Sequence, residues 1–243
     1  MKAPVLIIGA HRSGTSATAR ALELVGLQIG QRLDSHREPK ALQQLHEEYF
    51  RRVGASWYHP APFLKSIQTR DGLRGCAKYL RSHIDSHFAK IFGYRNNPKG
   101  LWLRGRLKLG AAWGWKEPRT TLFAPAWLEI FPEAQIIHVV RDALAAAESI
   151  RERELKFQAA GDSPTPNLSD LNYCRELVET YLRAGEHVSA SSNYRRLQFE
   201  ELQANPPAML EQLANSCGLR PSTRHLAAAA ASIRPAHIKS RST

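Results

Sequence analysis

Cysteine is scarce in this chain. Three residues of 243, Cys76, Cys174 and Cys217, carry a thiol, and no CxxC pair occurs. An odd number of distant cysteines argues against a disulfide framework or a paired-cysteine zinc site and fits a reducing compartment. Long apolar runs are also missing, since nothing approaches the roughly 20 residues that span a bilayer. The run Val5 to Ile8 is too short for a signal-peptide core, and Arg12 follows it closely. The expectation is a soluble, cytoplasmic protein with no membrane span. Acidic residues are in deficit, with 22 Asp+Glu against 34 Lys+Arg and a net charge of +12. That balance favours anionic partners, whether nucleotides, nucleic acid, acidic glycans or a membrane surface, without choosing among them.

What is present is the alternation of an α/β protein. Val5-Leu6-Ile7-Ile8 reads as a central strand buried on both faces. Helical spacing follows from about Gly14 to Val25, and again through Leu42, Leu45, Tyr49 and Val53. Trp57 to Pro62 is broken by proline and reads as a surface loop. Leu73, Cys76, Leu80, Ile84, Phe88 and Ile91 trace an amphipathic helix, and Asn96 to Gly100 reads as a turn-rich break. Trp113 to Lys116 and Gln135 to Val140 read as further strands, with a helix over Thr120 to Phe131 between them. Asp142 is placed to cap a helix running to about Phe157, and Gly161 to Asn167 reads as a loop.

Another helix is marked by Leu171 to Leu182, a last strand by Arg196 to Phe199, and a final helix by Pro207 to Cys217 with Gly218 as its stop. The Ala227 to Ala231 run is helix-prone, and the basic tail from about Ile233 reads as loosely held. The fold class expected is a three-layer P-loop NTPase-like α/β fold, with a mainly parallel central sheet flanked by helices, in a single domain over residues 1–243.

The chemistry starts at Gly9-Ala10-His11-Arg12-Ser13-Gly14-Thr15-Ser16. A strand, a glycine-containing loop and a helix in that order form a phosphate cradle, where backbone N–H groups and the helix N-terminus face an anion. The nucleotide triphosphatase loop needs lysine before its final Ser/Thr, to reach the β/γ-phosphates. Thr15 stands at that position, and the positive charge is in the loop instead, at Arg12. Arg141 ends a predicted strand, where open α/β sheets bind ligands. Ser149 follows two helical turns after Asp142, so the guanidinium and the hydroxyl can converge on one phosphate. The plain alternatives are an ion pair of Arg141 with Asp142 or Glu148, and a surface serine at 149.

Pro4 to Ser16 resembles the 5′-phosphosulfate loop of sulfotransferases that use 3′-phosphoadenosine 5′-phosphosulfate (PAPS), with the arginine found in bacterial members and in the tyrosylprotein branch. Val139-Val140-Arg141-Asp142 with Ser149 resembles the 3′-phosphate motif of that family, and Trp113 to Thr120 and Phe199 to Pro206 resemble two further segments, in family order over residues 4–218. The resemblance implies sulfuryl transfer from PAPS to a hydroxyl or amine by in-line displacement, with no metal. It implies cofactor contacts at Arg12, Ser13, Gly14, Thr15, Ser16, Arg141 and Ser149, and charge stabilisation by Arg12 and Lys116. It also implies a carboxylate base in the segment after the first helix, best matched by Glu38.

Asp34, His36 and Glu47 compete with Glu38 for that role, and a solvated loop carboxylate is its bland reading. An ion pair with Glu117 is the bland reading of Lys116, and Arg119 has a weaker case. The acceptor expected is a small molecule, glycan or peptide, with Trp57 to Phe63 and Phe157 to Asn167 as candidate walls. Oligomeric state is not readable. Two other functions stay open. A P-loop small-molecule or nucleoside kinase would use ATP and Mg²⁺, against which the missing lysine counts. A basic nucleic-acid-binding module would show steep salt dependence, but no recognised motif or aromatic–basic interleaving supports it. A sulfotransferase-like binder without catalysis is a third possibility.

Overall fold

A computed structural model describes residues 2–30, 33–91, 105, 107 and 109–234, without the side chains of 85–91. The expected break at Asn96 to Gly100 and the tail beyond Arg234 lie outside the described residues. The chain opens with β1 (Val5–Ile8) and α1 (Thr15–Leu24), then α2 (Lys40–Arg52), α3 (Ala61–Ser66) and α4 (Arg70–Ile91). β2 (Gly114–Lys116), α5 (Thr120–Ile130), β3 (Gln135–Val140) and α6 (Ala143–Ala159) follow. The last elements are α7 (Leu171–Glu186), β4 (Tyr194–Gln198), α8 (Phe199–Ala204), α9 (Pro206–Ser216) and α10 (Thr223–Ala231).

Four strands pair in the order β2-β1-β3-β4, every pairing parallel. Side chains alternate along β1, so Leu6 and Ile8 enter one apolar cluster and Val5 and Ile7 the other. The first cluster packs α2, α4, α5, α6 and α7 on one face of the sheet; the second packs α1, α8, α9 and α10 on the other. This is the three-layer α/β arrangement, and it explains why the strands read as continuous apolar runs rather than alternating ones. Trp115 and Trp127 are fully buried in the first cluster with ring centroids 5.0 Å apart. Aromatic side chains of this size remove about 200 Å² each from water, about 5 kcal/mol apiece at ~25 cal/mol per Å².

Because β1 lies between β2 and β3, the chain leaves β1 to one side and returns to the other. Such a reversal opens a crevice at the C-terminal ends of the strands. The residues that follow β1, β2 and β3 there are the Gly9 loop, Glu117 and Arg141.

Several boundaries differ from expectation. The last strand stops at Gln198, and Phe199 opens α8 with its ring packed on Gly14. Ala61 and Pro62 belong to α3, where a proline in the first turn loses no hydrogen bond. The alanine run is part of α10, capped by Ser222, whose hydroxyl accepts from the His225 N–H at 3.4 Å. Asp142 caps α6 as expected, accepting from the Ala145 N–H at 2.8 Å. No helix among the described residues is long and apolar enough to cross a membrane.

Candidate functional site

The loop after β1 is fixed from three sides. Gly9 N–H donates to Thr121 Oγ1 at 2.8 Å, and that hydroxyl donates back to Gly9 O at 3.1 Å. Gly14 has φ 91°, and a Cβ there would fall 2.3 Å from the Phe199 ring. Only glycine gives both the left-handed backbone and the room. Arg12 is left-handed as well, with φ 70°, an uncommon state for a residue with a side chain. Arg141 Nη1 donates to Arg12 O at 3.1 Å and braces it. α1 then starts with no side-chain cap and no acid in its first turn, so its N-terminus is open to an anion. Ser13 Oγ is buried and has no hydrogen-bond partner among the described residues, and Ser13 is not among the residues that line the cavity.

Arg12 and the third strand's motif meet directly. Arg12 Nε donates to Ser149 Oγ at 3.0 Å across 137 residues of sequence. The local alternatives for Arg141 are not what is seen: its guanidinium turns to the loop carbonyl rather than to Asp142 or Glu148. Arg12, Ser149 and Arg141 are thereby grouped at one end of the crevice.

At the other end lie Glu38 and Lys116. Asp34 organises the turn before α2, its Oδ1 accepting from the N–H groups of His36 and Glu38, each at 2.8 Å. That turn carries Glu38 inward to 6% exposure, so it is no solvated loop carboxylate. Lys116 Nζ donates to Glu38 Oε1 at 2.5 Å and to His36 O at 3.0 Å, and is itself 1% exposed. Gln43 Nε2 donates to Glu38 Oε2 at 2.6 Å. Burial pushes the Glu38 carboxyl above its ordinary range, and the Lys116 ammonium opposes that rise.

Lys116 does not pair with its neighbour Glu117, because adjacent residues at a strand end point to opposite faces. Glu117 faces α2, where Oε2 lies 2.5 Å from His46 Nδ1, and Oε1 accepts from Arg119 Nη1 at 2.7 Å. Burial would raise Glu117, but the Arg119 guanidinium and the His46 hydrogen bond hold it well below the carboxylate range. Arg119 also pairs with Glu47 at 2.6 Å, so Glu47 is committed to that contact.

One cavity of about 480 Å³ joins the two ends. Arg12, Gly14, Thr15, Ser16, Arg141, Glu38 and Lys116 all line it, as do Asp34 and His36. Ser149 bonds to its wall through Arg12. Trp57, Phe157 and Thr165 form a further wall, which places parts of both expected acceptor segments in the same space. Trp57 is held from behind: Tyr181 Oη donates to Trp57 O at 2.9 Å, and Tyr173 Oη donates to Tyr58 O at 2.7 Å.

Sequence reasoning passed over several lining residues, Gln43, His11 and Arg153 among them. Gln43 carries no motif signal, being one of several polar residues of α2. His11 lies in the loop motif at a variable position. Its ring is 4.4 Å from Trp57, and burial, with the charges of Arg119, Arg153 and Lys116, keeps it neutral by lowering its pKa. Arg153 could have been found, since it is one helical turn after Ser149 on α6. Its Nε is buried without a hydrogen-bond partner among the described residues, and its guanidinium lies 5.7 Å from the Trp57 centroid.

Comparisons with known proteins show the family and the fold. Residues 4–223 match the sulfotransferase family. The sulfotransferase domain from the curacin biosynthetic pathway is similar in structure, with TM-score 0.52, 15% identity, and 97% of this chain and 84% of that one covered. A sulfotransferase from Mycobacterium avium is similar at TM-score 0.50 and 15% identity, over 94% of this chain and 67% of that one. A mouse sulfotransferase complexed with PAP is similar at TM-score 0.51 and 12% identity, over 95% and 64%. At these identities the structural likeness speaks for the fold. No curated protein matches in sequence.

Proposed function

The chain belongs to the sulfotransferase family and transfers a sulfuryl group, and from that premise we propose that PAPS is its donor, held between the Gly9–Ser16 loop and the Arg141/Ser149 pair. One observation carries this reading: a single cavity has an open helix N-terminus with Arg12, Thr15 and Ser16 at one end and a buried Glu38–Lys116 pair at the other. The residues present fit the group. Gly14, Thr15 and Ser16 face the cavity with the loop backbone, and Arg12 and Arg141 supply two cations. Arg153, without a partner at Nε among the described residues and on the same helix face as Ser149, supports the same anionic site.

When bound, PAPS supplies the sulfuryl group and leaves as the 3′,5′-bisphosphate. Glu38 takes the proton from the acceptor hydroxyl or amine, a task suited to a carboxylate whose proton affinity burial has raised. Lys116 and Arg12 neutralise negative charge that builds on the departing oxygen. Trp57 and Phe157 exclude water and orient the acceptor, a small molecule, glycan or peptide. Three free, buried cysteines suit action in the reducing cytoplasm. The kinase reading is disfavoured by Thr15, which stands where a triphosphate-gripping lysine belongs.

The desulfonated product PAP provides the test. At about 100 times its dissociation constant it stabilises the folded state by about 2.7 kcal/mol, a rise of about 5–10 °C in melting temperature. Glu38→Gln keeps that rise and loses turnover in an acceptor screen with labelled PAPS. No thermal shift at millimolar PAP refutes the donor site, and full turnover in Glu38→Gln removes Glu38 as base.

A further inference from the structure

Arg119 is the centre of a buried charge group that the transfer scheme leaves unused. Its guanidinium touches three carboxylates from three parts of the chain: Glu47 on α2 at 2.6 Å, Glu117 at the end of β2 at 2.7 Å, and Glu38 at 3.9 Å. Its side chain is 13% exposed, so water screens these contacts little. Lys116 is the second cation of the group, bound to Glu38 alone among these carboxylates. Trp127 Nε1 donates to His46 Nε2 at 3.1 Å, which leaves Nδ1 as the nitrogen that donates to Glu117. His46 in that tautomer adds no charge. Three carboxylates therefore share two cations, and the guanidinium given to Glu47 and Glu117 is withheld from Glu38.

We propose that Arg119 is a positioning residue for transfer, dividing its charge among Glu47, Glu117 and Glu38 and so setting the electrostatic field at the Glu38 carboxylate. The inference rests on the assignment of Glu38 as the base. Other groups facing Glu38 are constant in the comparison that follows: Asp34 and His36 in its own turn, Gln43 on α2, Arg153 on α6, Tyr181 on α7, and His11 in the loop. Glu47 is the adjustable member, because its side chain is 35% exposed and a neutral amide is tolerated there.

Two substitutions push Glu38 in opposite directions. Glu47→Gln removes a competitor for the guanidinium, so Arg119 acts more strongly on Glu38 and its proton affinity falls. Arg119→Met removes the cation, leaves Glu117 and Glu47 uncompensated, and raises it. A unit charge at this range moves a carboxyl by about 1–3 pH units. Arg119→Lys keeps the charge and returns the titration close to the parent.

The experiment titrates the Glu38 side-chain carboxyl by ¹³C NMR in the protein without cofactor, the resonance being identified by its loss in Glu38→Gln. The acidic limb of kcat/KM is recorded in parallel. The expected result is a midpoint lower by about one unit in Glu47→Gln and higher in Arg119→Met. If Arg119→Met does not fold, Glu47→Gln and Arg119→Lys decide alone. An unmoved Glu38 midpoint in Glu47→Gln overturns the inference even if Glu38→Gln is inactive. A midpoint that moves while the kinetic limb stays fixed upholds the role of Arg119 on Glu38 and instead overturns Glu38 as base.

Discussion

Removing the Lys116 ammonium strands Glu38, and the size of the effect follows from where the pair lies. In the parent protein Nζ and Oε1 are 2.5 Å apart, with side chains 2% and 8% exposed. In Lys116→Met the carboxylate keeps its buried place and its Gln43 contact but loses the only partner among the described residues at ion-pair distance closer than 3.9 Å. With its nearest cation gone, the buried carboxyl takes up a proton, because burial disfavours the charged form. In the unfolded chain the same group titrates at about 4.3. Each pH unit above that value costs about 1.36 kcal/mol of folding free energy to keep the acid neutral.

The penalty is therefore about 4 kcal/mol at pH 7.5 and about 1 kcal/mol at pH 5. The sign is fixed: the folded variant binds one proton more than its unfolded chain in this window, so its stability falls as pH rises. Urea denaturation at the two pH values, for the parent, Lys116→Met, Glu38→Gln and the double variant, measures it. The double variant has no carboxyl to strand, so it recovers most of the loss at pH 7.5. Equal penalties at both pH values, or simple additivity in the double variant, refute the reasoning.

Two further outcomes follow from other parts of the fold. His138 lies buried on β3, its Nδ1 2.7 Å from Tyr194 Oη, and burial lowers its pKa to about 4 from 6.5. Its unfolded form takes a proton below about pH 6.5 that the folded form refuses, so stability is lost as pH falls from there toward 4, by about 3 kcal/mol in full. His138→Gln flattens that segment of the stability curve; an unchanged slope assigns the acid sensitivity elsewhere. Gly14→Ala meets both a left-handed backbone and the Phe199 ring, and loses about 1–3 kcal/mol with weaker PAP binding, read by thermal melts with and without PAP.

Much of the site was legible because it is local. The Gly9–Ser16 loop is eight consecutive residues whose order dictates a strand-to-helix turn, and Asp142 with Ser149 is a helical repeat read by counting. What stayed open in the sequence were partners. The nearest opposite charges to Lys116 and Arg141 in sequence are Glu117 and Asp142, yet the pairs formed span 78 residues to Glu38 and 129 to Arg12. A strand end sends neighbouring side chains to opposite faces, so proximity in sequence works against contact there. The burial of Glu38 was hidden for a related reason. A polar segment, Asp34 to Pro39, reads as solvated, while Asp34 folds it into a turn that points its last carboxyl inward. Phe199 reads as a strand residue by type; its place against Gly14 depends on two segments meeting.

The two tyrosines of α7 that hold the carbonyls of Trp57 and Tyr58 are eight residues apart in sequence. They rivet the wall facing Trp57 to a sixteen-residue helix rather than leaving it to a loop. A re-engineered acceptor range therefore has to be cut from the side chains at 57 and 157, like changing the lining of a mould whose frame does not bend.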